Sequence, residues 1–189
     1  MSTVVVVRKN GKACIAADSL ISYGSLTQSA SYLTYRPKLI QVGNTYIGLV
    51  GSTSHEMVLR HYFSRPNKRP SFKDRASIFH TWVDLHRALK EEYHLNPTEE
   101  KEDPYETTRI SALLANPYGI FGVYPLRSVD EYTKFWAMGA GDEFALGALH
   151  ASYDRLESVE EIARAGIEAA AEFDNSTALP ITLYTVKLK

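Results

Sequence analysis

Val4 to Val7 place four β-branched side chains in a row, followed by Arg8-Lys9 and then Asn10-Gly11. That run reads as a strand entering a tight hairpin, whose return strand spans Lys12 to Ala17 and delivers Asp18. A polar stretch rich in Ser, Thr and Tyr, from Tyr23 to Thr34, reads as loop or irregular strand, and Pro37 breaks it. Lys38 to Val42 and Thr45 to Val50, around Gly43-Asn44, read as a second hairpin.

The period then changes. Met57, Leu59, Tyr62 and Phe63 give one apolar face to a helix that starts after Ser52 or Thr53 as N-cap, with Glu56 three residues past Thr53. Pro66 to Pro70 ends it. Ile78, Trp82, Leu85 and Leu89 recur at helical spacing and predict a helix over about Phe72 to Tyr93. Asn96 to Thr107 is acidic and interrupted by Pro97 and Pro104, and reads as a long exposed loop. Strands follow at Arg109–Ala115, Ile120–Tyr124 and Lys134–Met138. Gly139-Ala140-Gly141 then opens a helix over Asp142–Tyr153. The next helix spans Ser158 to about Phe173, with Ser158 as N-cap. Ala163, Gly166, Ala169, Ala170 and Ala171 give it a small face suited to close packing. Pro180 to Leu188 reads as the last strand.

Strands grouped with strands and helices with helices predict an α+β fold rather than a parallel doubly wound sheet. Two antiparallel sheets packed face to face, with helix pairs outside, would bury all of these faces. The pattern has no repeat and no convincing boundary, so residues 1–189 read as one domain.

Composition narrows the chemistry. Lys+Arg 21 against Asp+Glu 22 leaves a formal net charge of -1, with no basic excess for nucleic acid and no polybasic membrane anchor. No apolar run is long enough to span a membrane, and no secretory signal follows Met1, so a cytoplasmic location is expected. One cysteine, Cys14, excludes an internal disulfide and reads as a small buried hydrophobe. His80, His86 and His94 lack the one-face clustering of a metal site. No cofactor is implied. Gly139-Ala140-Gly141 lacks the third glycine of a dinucleotide fingerprint.

One constellation remains. In a hairpin, the start of the first strand and the end of the second are neighbours, so Ser2 and Asp18 come close. If Met1 is removed, Ser2 carries a hydroxyl and an α-amine on one residue, a nucleophile with its own base. A chain whose second residue is small, as Ser2 is, suits removal of the initiator methionine.

Several segments resemble the proteasome β-subunit and HslV branch of the N-terminal nucleophile hydrolases. Ser2 to Gly11 resembles the mature start of HslV. Ala16-Ala17-Asp18-Ser19 resembles the family's small-small-Asp motif, and Lys38 to Val42 its lysine-bearing strand. Gly48 to Thr53 resembles the Gly-rich turn into the first helix. Met138 to Gly141 resembles the Gly-Ser-Gly turn, and Asp174 to Thr177 the Asp-x-x-Ser motif. The segments span nearly the whole chain in family order.

The resemblance implies a four-layer αββα sandwich and an endopeptidase subunit. Ser2 would be the nucleophile, standing where threonine is usual. Lys38 would keep the α-amine unprotonated, and Asp18 would hold Lys38 charged. Gly51 and Ser52 would form the oxyanion site. Asp174 and Thr177 would orient the N-terminal residue. Ser22 would pair with substrate backbone, while Ile21, Arg36, Ile40, Val50 and Ser54 would line the pocket for the residue before the cut. Ala140 replaces a family serine beside the nucleophile, and the acidic loop is longer than in HslV. These departures resemble the betaproteobacterial proteasome homologue family. The resemblance to that family implies a homo-oligomer of stacked rings that cleaves unfolded polypeptides, with an AAA+ unfoldase as a conceivable partner. A catalytically silent ring subunit and a small-molecule amidohydrolase on the same scaffold are the alternatives.

Overall fold

A computed structural model describes residues 2–23, 25–34, 37–51, 54–96 and 103–189. The elements run β1 (Thr3–Lys9), β2 (Lys12–Ala17), β3 (Ile21–Tyr23), β4 (Leu26–Gln28), β5 (Leu39–Val42), β6 (Thr45–Val50), α1 (Ser54–Ser64) and α2 (Arg75–Glu91). They continue with β7 (Ser111–Asn116), β8 (Gly119–Val123), β9 (Val129–Tyr132), β10 (Phe135–Gly139), α3 (Asp142–Tyr153), α4 (Val159–Phe173) and β11 (Thr182–Lys187).

The strands form two antiparallel sheets, ordered β10-β1-β2-β11 and β5-β6-β7-β8-β9, plus the small β3-β4 hairpin. Burial of β1 explains its composition. Val4 and Val6 face the second sheet, among Ile15, Leu113 and Ile120. Val5 and Val7 face α3 and α4, among Leu149, Ile162 and Ile167. A strand buried on both faces has no place for polar alternation, so it reads as a continuous apolar run. On the far side of the second sheet, Ile47, Leu59, Ile78, Trp82 and Leu85 pack α1 and α2 against it. The layers are therefore helices, sheet, sheet, helices: the αββα sandwich the sequence predicts.

Glycines set how closely the layers approach. A Cβ at Gly48 would lie 2.5 Å from Val4 Cγ1, and one at Gly166 would lie 3.0 Å from Leu149 Cγ. The small face read on the last helix is used: Ala163, Gly166 and Ala170 are buried. Asn10 and Gly11 both take positive φ, 49° and 71°, as a two-residue turn matched to strand twist demands.

The structure differs from the sequence reading in four places. The stretch from Tyr23 to Thr34, read as loop or irregular strand, holds the short strand β4, paired with β3, and a 3₁₀ turn at Ala30–Tyr32. β9 was not read, because only Val129 of its four residues is fully buried and alternation has too little length to show. The second helix starts at Arg75 rather than Phe72, because Asp74 caps it: Asp74 accepts from Ser77 N–H at 2.8 Å while Ser77 Oγ accepts from Asp74 N–H at 3.1 Å. The acidic loop is anchored at its end. Glu106 bonds Lys90 and His86, and Thr107 and Thr108 are buried. The N-cap expected at Ser52 or Thr53 lies outside the described residues, as does 97–102 of the loop.

Candidate active site

Three segments meet at the start of β1: the end of β2, the turn after β10 and the loop after α4. Thr3 pairs with Gly139, and the Ser2 carbonyl accepts the Ala140 N–H at 3.1 Å. Ser2 is 7% exposed. Gly139 has φ of 123°, and a Cβ there would lie 1.8 Å from the Ser2 oxygen. Only glycine allows this turn to support the first residues so closely. A Cβ at Gly141 would likewise lie 2.8 Å from Ala170 Cβ and 3.0 Å from Thr3 Oγ1. The Gly-x-Gly spacing is thus a steric requirement of the site's floor.

Asp18 lies across from that floor, fully buried, and draws several donors together. Its Oδ1 accepts the Thr3 N–H at 2.9 Å and Lys38 Nζ at 2.7 Å. Its Oδ2 accepts N–H groups from Leu20 at 3.0 Å and Ala178 at 3.3 Å. Lys38 Nζ also donates to the Leu20 carbonyl at 2.5 Å. Burial lowers the Lys38 pKa, and the Asp18 carboxylate opposes that shift. The ammonium is therefore held charged by one carboxylate in a site that otherwise favours its neutral form.

On the other side, a chain of hydroxyls leads to a second carboxylate. Thr177 Oγ1 donates to Asp174 Oδ2 at 2.5 Å. Thr3 Oγ1 lies 2.6 Å from Thr177 Oγ1 and accepts the Gly141 N–H at 3.0 Å. A hydroxyl has one proton to give. Thr177 gives its proton to Asp174, so Thr3 must be the donor to Thr177.

The structure thus brings Ser2, Asp18, Lys38, Asp174 and Thr177 to one end of the first sheet. Thr177 reaches the N-terminal segment through Thr3, which the sequence reading did not single out. Nothing in its spacing marks Thr3; only its full burial and its hydrogen bonds do. Gly51 stands at an exposed turn with φ of 110°, just before α1. Ser52 and Arg36 lie outside the described residues. Ser22, on β3, pairs with Thr27; Ile21 is buried and Ser54 is the exposed first residue of α1. Ile40 packs into the helix-side core with Leu49 and Leu59, whereas Val50 packs against the core between the sheets. These two expected lining residues belong to opposite faces of the second sheet.

An αββα sandwich carrying a lysine–carboxylate pair beside the first strand's start defines a hydrolase fold of the N-terminal nucleophile kind. The family model described as "Proteasome subunit" matches residues 1–186, and the chain belongs to that family. Its likeness to solved structures agrees. Thiobacillus denitrificans BPH is 41% identical, with TM-score 0.93 over 99% of this chain and 98% of that one. A second structure of Thiobacillus denitrificans BPH, in complex with epoxomicin, is 40% identical, with TM-score 0.91 over 99% of both chains. HslV from Trypanosoma brucei shares the fold at 18% identity and TM-score 0.69, over 98% of this chain and 99% of that one. The chain is a proteasome-type subunit.

Proposed function

We propose that this subunit hydrolyses peptide bonds with Ser2 as the nucleophile, once Met1 is removed. In this reading Ser2 Oγ attacks the scissile carbonyl while the α-amine of the same residue takes the hydroxyl proton. The backbone N–H of Ser52 would stabilise the oxyanion, with Gly51 allowing the turn. The α-amine then passes the proton to the leaving amine, leaving an acyl-enzyme on Ser2. Water, deprotonated by the same amine, attacks the ester and returns the hydroxyl. Lys38 lowers the α-amine pKa by charge repulsion, and Asp18 keeps Lys38 in place and charged. Asp174 and Thr177 brace the residue from the other side.

The observation that carries this reading is the Lys38–Asp18 contact at 2.7 Å, made by the same carboxylate oxygen that holds Thr3 N–H. One acid thereby ties the ammonium to the peptide unit next to Ser2. The solved complex of a relative with epoxomicin supports a ligand-competent site of this family. Ser22 is proposed to pair with substrate backbone, with Ile21, Arg36, Ile40, Val50 and Ser54 near the pocket for the residue before the cut.

The wider reading is one domain over residues 1–189, assembled as a cytoplasmic double ring of identical subunits. The chambers would admit unfolded polypeptides, with or without an AAA+ unfoldase. A second reading is a silent ring subunit. It is favoured by the three backbone N–H groups on Asp18, since a carboxylate so used staples loops whether or not chemistry occurs. Hydrolysis of fluorogenic peptides by wild type and Ser2→Ala decides between them. The proposal expects activity in the wild type and a loss of at least about a thousandfold in Ser2→Ala. Equal rates would leave the silent reading standing.

A further inference from the structure

We infer that Thr3 is a positioning residue for the reaction, setting where the α-amine of Ser2 sits relative to Lys38. The inference rests on the proposed role of Ser2 and assigns a task to a residue not yet given one. Thr3 is fully buried, and its polar groups are all engaged. Its N–H goes to Asp18 Oδ1 at 2.9 Å, and its carbonyl accepts the Asp18 N–H at 3.2 Å. Its hydroxyl accepts from Gly141 at 3.0 Å and donates to Thr177 at 2.6 Å.

The peptide unit joining Ser2 to Thr3 is held from both ends. The Ser2 oxygen is fixed by Ala140 N–H at 3.1 Å and the Thr3 nitrogen by Asp18. With that plane fixed, the position of the Ser2 α-amine depends on one backbone rotation and on the stability of the plane itself. The Thr3 hydroxyl supplies that stability, because it bridges the Gly139–Gly141 turn and the Asp174–Thr177 loop. Its proton runs in one direction, toward the Asp174 carboxylate, so the bridge is a defined donor–acceptor chain rather than a degenerate pair. Ala140 has no hydroxyl to do this, and among the described residues Thr3 makes the polar side-chain link between the two loops.

Thr3→Val keeps the shape of the side chain and removes the hydroxyl; Thr3→Ser keeps the hydroxyl and removes the methyl. The expected result for Thr3→Val is a fall in kcat on the order of tenfold or more, with KM within about twofold. Thr3→Ser restores kcat to within about threefold of wild type. A second readout does not depend on turnover: carbamylation of the Ser2 α-amine by cyanate across pH, read by mass spectrometry. In Thr3→Val the amine should titrate nearer the value of an unperturbed terminus, because it no longer sits against Lys38. A merely structural role would lower the melting temperature without moving that titration. Wild-type kcat and amine titration in a folded Thr3→Val overturns the inference, as does a Thr3→Ser as impaired as Thr3→Val. If Thr3→Val does not fold, Thr3→Cys is read against Thr3→Ser, and equal activity of the two overturns it. Full activity in Ser2→Ala would instead defeat the nucleophile reading, with the carbamylation result still reporting on Thr3.

Discussion

Asp18 holds its negative charge where no water reaches it, and the loops around it supply the compensation. Three N–H groups and one ammonium converge on its two oxygens. Removing such a carboxylate leaves a buried cation and unpaired donors, so Asp18→Ala should destabilise the fold by about 3 kcal/mol or more. A urea titration measures it. The pH profile follows from Lys38. Its pKa is lowered, so as pH rises the ammonium loses its charge before an ordinary lysine would. The kcat/KM profile is expected to be bell-shaped, with an acid limb from protonation of the Ser2 amine and an alkaline limb below the ordinary lysine range. A plateau through that range would count against a charged Lys38 in the mechanism. Cys14 provides a check on side reactivity: burial pushes its thiol up to about 12. Native protein should therefore react negligibly with a thiol reagent at neutral pH, and denatured protein should give one thiol per chain. The hairpin pattern brought Asp18 near the start of β1, whereas Lys38 was singled out only through the family resemblance. Thr3 was not, since a buried hydroxyl in a valine run looks like another β-branched residue.

Among elements, the turn from β10 into α3 is the most constrained. Gly139→Ala would place a methyl group 1.8 Å from the Ser2 carbonyl oxygen and at an unfavourable φ. The N-terminal segment must then move, and peptide hydrolysis should fall by on the order of a hundredfold or more. The methyl sits at the end of β10, beside Thr3 of β1, so the disturbance is local to that end of the first sheet and the far-UV circular dichroism should be largely kept. Wild-type activity in this variant would mean the turn does not support the nucleophile. At the start of α2, Asp74→Ala removes a reciprocal cap and should lower the melting temperature while leaving the KM for peptides unchanged. The valine run, the Asn-Gly turn and the small face of α4 were readable because each satisfies one strong local demand. β9 was not, and the β3-β4 pairing showed only as loop or irregular strand, because strands of three or four residues carry too few alternations. The start of α2 was missed for a related reason: Asp74 and Ser77 satisfy each other, a contact that apolar periodicity does not report.

At the scale of the whole molecule, the two sheets and two helix pairs place the start of β1 at one end of the sandwich, within reach of three loops. The order of strand and helix groups made this architecture legible. The pairing of β11 beside β2, and of β10 beside β1, was not: it depends on contacts separated by more than a hundred residues, which no local pattern encodes. The proposed stacked rings predict a sedimentation mass that is an even multiple of 21.2 kDa, twice the number of subunits per ring. A monomer at micromolar concentration would contradict that assembly. The central claim is the identity of the nucleophile, and a peptide epoxyketone tests it most directly, because it captures a hydroxyl and an α-amine on one residue. After incubation with the mature protein, intact-mass and peptide analysis should find one adduct per chain, located on Ser2, and none in Ser2→Ala. An unmodified wild type, or an adduct that persists in Ser2→Ala, would contradict the account.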